Sequence, residues 1–250
     1  MEVEYYNRHS ESFKWASIAT HVLGVAHFTT AILYDYISKT YVLQGVKQYY
    51  FYRLRFLTHW NLYLQWIYFL SRTVMDMKRI FQERRCRSRY DNFLDYVQMS
   101  AAFPFTLFIS VSYWFLVSIN PSFVHTETGP RSTFLLNQMI HTNILPLQIL
   151  ELITTKKIKT STTVCIAACS IIQFLFFACM LYFYHTKGTW SYPIIGILKG
   201  YKRILLLAGC YSTNIVFCYF GDVINNKLWG KLSLENETIN DTNNCQREME

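Results

Sequence analysis

Charge is what this sequence has least of. Asp, Glu, Lys and Arg make up 16% of its 250 residues, against about 25% in an ordinary soluble domain. The few charges are bunched in Met1–Lys14, Arg72–Asp91, Lys156–Lys159 and the stretch after Lys227. Cysteine pairs are missing too: none of the seven cysteines forms a CxxC, and most fall within apolar runs. That excludes a disulfide or zinc framework and leaves the thiols as small buried hydrophobes. Cys86 stands apart in Arg84-Arg85-Cys86-Arg87, a weak signal for reversible palmitoylation. The chain also holds no GxSxG, HExxH, P-loop or GxGxxG and no internal repeat. The signatures of the nucleophile elbow, the zinc proteases and the nucleotide-binding folds are therefore absent.

What is present is apolar: 52% of the residues are hydrophobic and 18% aromatic. A spanning helix needs roughly 20 mostly apolar residues. Six stretches are candidates: Trp15–Ile37, Phe56–Leu70, Phe93–Ile119, Phe134–Ile153, Thr163–Tyr184 and Ile204–Ile224. The second is the shortest. The expected fold is an all-α integral membrane protein, a bundle of about six transmembrane helices formed by residues 1–232. Residues 233–250, rich in Asn and Glu, read as a polar, disordered cytosolic tail. Glu2, Glu4, Glu11, Arg8 and Lys14 precede the first stretch, and no small-x-small site follows it. It reads as an uncleaved span.

Six crossings place the two ends of the chain, the second loop and the fourth loop on one side. That side holds 15 of the 24 Lys and Arg residues, so the positive-inside rule puts both termini in the cytosol. The net charge of +8 is explained the same way and does not indicate nucleic acid. The basic Arg72–Arg89 loop also suits anionic lipid heads. The tail sequons at Asn236 and Asn240 cannot be glycosylated in the cytosol. Tyr41, Tyr49, Tyr50 and Tyr52 fit an interfacial aromatic belt. The membrane is expected to be the endoplasmic reticulum or the plasma membrane.

Polar residues inside such spans invite a functional reading. In the fourth stretch Asn137, His141, Gln148 and Glu151 fall on one narrow helical stripe. Pro146 lacks an N–H, which frees the carbonyl of Thr142. In the second stretch Thr58, Asn61 and Gln65 share a face. His21 and His27 in the first have no acid or thiol on their own face and read as bundle-facing rather than metal ligands. The second and fourth spans run in the same direction. Thr58 lies nearer its end of the membrane than His141 by roughly 10 Å at 1.5 Å per residue, a mismatch that helix tilt can absorb. A threonine hydroxyl becomes a nucleophile when a neutral imidazole takes its proton. Thr58 and His141 are therefore a candidate nucleophile and base, with Asn61 and Asn137 as candidate oxyanion or orienting groups. A non-enzymatic bundle would use the same stripes only to pack helices.

These residues carry a family resemblance. Thr58-x-x-Asn61-Leu62 with Gln65, Ala102-Phe103-Pro104, Leu136-Asn137 with His141-Thr142 and Pro146, Gly188-Thr189-Trp190-x-Tyr192-Pro193, and Gly221-Asp222 with Asn225 occur in this order. Together they resemble the androgen-induced and androgen-dependent TFPI-regulating family, multi-span threonine hydrolases of fatty acid esters of hydroxy fatty acids. The resemblance implies Thr58 as nucleophile, His141 as its partner, a lipid ester from the bilayer as substrate, and no cofactor. Gln65, Trp190, Tyr192 and Asp222 are candidate pocket residues. Gln138 stands where the family has histidine, and Asp222 where it has glutamate, which leaves substrate preference open. The alternative is a non-enzymatic multi-span membrane protein that binds a lipid or regulates a partner protein. A transporter would need inverted repeats and broken half-helices, and only proline kinks are evident.

Overall fold

The computed structural model describes residues 2–40, 53–82, 88–124, 133–158 and 161–236, with side chains from Phe13 to Ile37 in the first helix and up to Trp229 in the last. Tyr41, Tyr49, Tyr50, Tyr52, Cys86 and the tail beyond Asn236 lie outside the described residues. Among the described residues there is helix and no strand. The long helices are α1 (Glu2–Thr40), α2 (Leu57–Gln82), α3 (Arg89–Ile119), α4 (Phe134–Thr154), α5 (Thr162–Lys187) and α7 (Tyr201–Asn236), with a short α6 (Pro193–Ile197). Four segments are long and apolar enough to cross a membrane: Phe13–Ile37, Arg89–Ile119, Thr162–Lys187 and Tyr201–Trp229. The other two expected spans, α2 and α4, are helical but carry the polar stripes, which dilute their apolar character.

The bundle is apolar outside and polar within. Phe174, Leu205, Val216 and Tyr219 are more than half exposed, while Gln65, Asp95, Gln98, Gln148, Glu151 and Asn214 have no exposed surface. Helices in lipid gain little from apolar contact alone, so association depends on close packing and interhelical hydrogen bonds. Both are present. Phe28 of α1 stacks on Phe69 of α2 at 5.7 Å, and Gly24 lies directly under the Phe69 ring.

Two prolines shape the interior. An α-helix would ask Pro104 and Pro146 to donate to Ser100 and Thr142, and neither has an N–H. Ahead of each the chain widens into one π turn, Gln98–Ala102 in α3 and Gln138–Thr142 in α4. Asn143 N–H donates to the Gln138 carbonyl at 2.8 Å, five residues back. Carbonyls turned out by the widening accept from neighbours: Ala102 from Gln65 Nε2 at 2.8 Å, and Met139 from His27 Nε2 at 3.0 Å. Such turns recur at functional sites, and His141 sits in the second.

Two expectations need correction. α2 does not end near Leu70 but runs to Gln82, and the charges that mark its end in the sequence are inside the bundle. Arg72 and Asp76 are 3% and 5% exposed, because Arg72 pairs with Asp95 and Asp76 meets His21 Nδ1 at 2.5 Å. Lys157, counted among the cytosolic charges of the fourth loop, is 2% exposed and pairs with Glu151. The last helix runs to Asn236.

Candidate functional site

The turn at 53–56 and the first residues of α2 close one end of a cavity of about 240 Å³. α3 contributes Phe108, Ile109 and Tyr113, α4 contributes Asn137 and His141, and α5 contributes Phe176 and Met180. The loop between α5 and α6 covers it. Gly188 ends α5 with φ +69°, a left-handed conformation that glycine adopts without strain. The chain then reverses so that Trp190 stacks on Tyr184 at 4.1 Å under the Arg203 guanidinium. This brings Tyr192 over the start of α2, where its hydroxyl accepts the Leu57 N–H at 3.1 Å and hydrogen-bonds the Thr58 side chain.

Thr58 Oγ1 lies 3.4 Å from His141 Nε2. Both side chains are buried, at 9% and 7% exposure, and both line the cavity. The distance is just beyond the 2.6–3.2 Å reach of a working base, as is common in a site without substrate. Tyr113 lies flat on the His141 ring, 3.7 Å between centroids and 18° between planes. Asn137 Nδ2 in turn donates to the Tyr113 hydroxyl. Asn137 thus acts on the imidazole plane through Tyr113. Burial pushes the Tyr192 phenol up to about 12, so it remains a hydrogen-bond donor at every physiological pH.

The other expected site residues lie elsewhere. Asn61 and Gln65 do not line the cavity; they belong to a buried polar network against α3. Gln65 Nε2 donates to Thr106 Oγ1 at 2.8 Å and to Asn61 Oδ1 at 3.2 Å, and Asn61 Nδ2 faces Thr106 at 3.4 Å. Gln148 and Gln98 continue this amide chain across the bundle. Trp190 braces the covering loop from outside the cavity lining. Asp222 lines a separate apolar recess between α5 and α7, beside Cys165 and Cys218. Sequence reasoning missed Tyr113, for which the sequence holds no local signal, and Arg55, whose position three residues before Thr58 was one. No group of three metal-ligating side chains occurs among the described residues.

Residues 16–226 match the family described as FAR-17a/AIG1-like protein. The chain belongs to this family. The matched stretch takes in every residue that lines the cavity. Among curated FAR-17a/AIG1-like relatives, the androgen-dependent TFPI-regulating protein of Mus musculus is 26% identical over 183 residues, covering 72% of this chain and 79% of that one. Its Homo sapiens counterpart is 24% identical over 185 residues, with 72% and 79% covered. The androgen-induced gene 1 protein of Homo sapiens is 24% identical over 198 residues, with 73% and 81% covered. No solved structure matches the chain.

Proposed function

We propose that this chain is an intramembrane hydrolase of fatty acid esters of hydroxy fatty acids, with Thr58 as nucleophile and His141 as base. One observation carries the reading. A threonine hydroxyl and an imidazole nitrogen, 83 residues apart in sequence, meet at 3.4 Å on the wall of an apolar cavity. Packing alone would be served by any polar pair. An exposed cavity wall is where a reacting ester has room.

The geometry supports the following chemistry. His141 carries its proton on Nδ1, so Nε2 takes the Thr58 proton as Oγ1 attacks the acyl carbonyl carbon. The Tyr192 hydroxyl, which accepts from Leu57 and faces Thr58, donates to the oxyanion. The carbon–oxygen bond to the hydroxy acid breaks, and that oxygen receives the proton from Nε2. Water then attacks the acyl-threonine, returns a proton through His141 to Oγ1, and releases the fatty acid. Tyr113 and Asn137 fix the imidazole plane throughout. The ester enters from the bilayer, and no cofactor takes part. With both termini cytosolic, the site lies in the non-cytosolic half of the membrane.

The names of the TFPI-regulating relatives support a second reading, a non-enzymatic membrane protein that regulates a partner. Fluorophosphonate labelling and hydrolysis of a branched fatty acid ester separate the two. Labelling and turnover in the wild type, both lost in Thr58→Ala and His141→Ala at equal expression, support the hydrolase. Unchanged turnover in Thr58→Ala removes the nucleophile assignment, and an inert wild type favours the regulator.

A further inference from the structure

One end of the cavity carries positive charge. Arg53 and Arg55 line it beside Thr58, and no Asp or Glu is among the lining residues. The two arginines are not equivalent. Arg53 Nη2 holds Asp35 of α1 at 2.9 Å, and His59 Nε2 approaches the other oxygen of that carboxylate at 3.6 Å. The Asp35 charge is thus shared by two partners at the side of the cavity. Arg55 is 5% exposed. The contacts of its guanidinium include the Thr189 hydroxyl at 3.5 Å and the face of Phe56 at 4.7 Å.

A guanidinium held against apolar walls attracts an anion strongly, because little water screens it. Its planar fork matches a carboxylate, with two parallel N–H donors to two oxygens. Arg55 lies in the turn that leads into α2, three residues before Thr58. A lipid lying in the cavity therefore meets a cation and a nucleophile at one end and the apolar walls of Phe108, Phe176 and Met180 beyond. We propose that Arg55 anchors a free carboxylate on the lipid in the cavity, so that an ester carrying a free acid is taken and a neutral ester is not. The order of these groups along the cavity sets the polarity of the lipid, acid outward and acyl chain inward. The amphipathic substrate aligns its carbonyl on Thr58 because its acid is held. The turnover arm of the test rests on the hydrolase reading, whereas the binding arm does not.

The test compares a branched fatty acid ester with its methyl-capped form, in the wild type, Arg55→Gln and Arg55→Lys. The expected result is a free-acid to capped ratio of kcat/KM that falls about tenfold in Arg55→Gln, the scale of one charge-assisted hydrogen-bonded pair, and recovers in part in Arg55→Lys. The ratio cancels losses of folded protein. An unchanged ratio in Arg55→Gln overturns the anchor. If the wild type turns over neither ester, the hydrolase reading fails and photo-crosslinking with a diazirine-bearing long-chain fatty acid decides the anchor alone. Crosslinking that is competed by free fatty acid but not by its methyl ester, and is lost in Arg55→Gln, supports it. Equal crosslinking in wild type and Arg55→Gln overturns it.

Discussion

Replacing Glu151 by Gln should be the most damaging isosteric change in the bundle. Glu151 has no exposed surface. It accepts from Tyr68 at 2.6 Å, meets His21 Nε2 at 3.0 Å and pairs with Lys157. Glutamine keeps the shape and an acceptor for Tyr68 but removes the charge opposite Lys157. The remaining contacts of that ammonium are the Tyr68 hydroxyl at 2.9 Å and the ring behind it. Burial already pulls Lys157 below the usual lysine range, and Glu151 is the main group pushing it back. Removing one partner of a buried pair costs about 3–5 kcal/mol. The part that falls on the ammonium is capped, because Lys157 can shed its proton: burial already holds it at about 8 in the wild type, so at pH 7 this costs about 1.4 kcal/mol more than in the wild type. At about 2–4 °C per kcal/mol for a chain of this size the melting temperature in detergent should drop by roughly 10 °C. In Glu151→Gln the unfolded state holds the lysine proton that the folded state has lost, so stability rises with pH. The deficit should shrink between pH 7 and pH 9, because above about pH 8 the wild-type lysine gives up its proton as well. Glu151→Gln with Lys157→Met should recover most of the loss. Thermal unfolding followed by intrinsic fluorescence at pH 7 and pH 9 measures all three. A deficit near zero at pH 7, or one that ignores pH, would refute the reasoning.

Further expectations concern packing and the phenol at the site. A Cβ on Gly24 would sit 2.4 Å from the Phe69 ring, and Phe69 is fully buried against Phe28. Gly24→Ala should therefore cost about 1–3 kcal/mol, read as a lower melting temperature with the cavity chemistry retained per folded molecule. Tyr192→Phe removes the acceptor of Leu57 N–H and the donor facing Thr58. Ester turnover should fall by about a hundredfold, as for one oxyanion donor. Because the folded phenol titrates at about 12, above its unfolded value near 10, its contribution to stability is complete below pH 10 and is lost as pH rises towards 12. The wild type should lose stability over that window more steeply than Tyr192→Phe. Equal slopes in the two proteins would contradict the buried phenol.

Hydrophobic length and helical spacing are local properties, and the chain wrote them plainly. The apolar runs mark α1, α3, α5 and α7 within a few residues of Phe13–Ile37, Arg89–Ile119, Thr162–Lys187 and Tyr201–Trp229. The spacing of His141, Gln148 and Glu151 put all three on one face, and all three point inward. Local pattern failed where a charge was taken to mean water. Arg72, Asp76 and Lys157 are inside, held by Asp95 of α3, His21 of α1 and, six residues back in the chain, Glu151 of α4. For Arg72 and Asp76 the partner is 20 or more residues away and leaves no trace in the neighbouring sequence. His21 shows this most clearly, since it lacks an acid on its own face and receives two from α2 and α4.

The sequence by itself determined that this is a bundle of membrane-type helices, which faces are polar, and that Thr58 and His141 are worth weighing together. Tertiary structure alone decided the rest. It set the distance between those two groups, because the π turn at Gln138–Thr142 and the loop that brings Tyr192 onto Leu57 adjust helix depth in ways that spacing does not encode. It turned Asn61 and Gln65 into a buried network away from the cavity lining, because Thr106 and the Ala102 carbonyl offered them partners there. And it gave Arg55 a cavity to face, since an enclosed space belongs to no single helix.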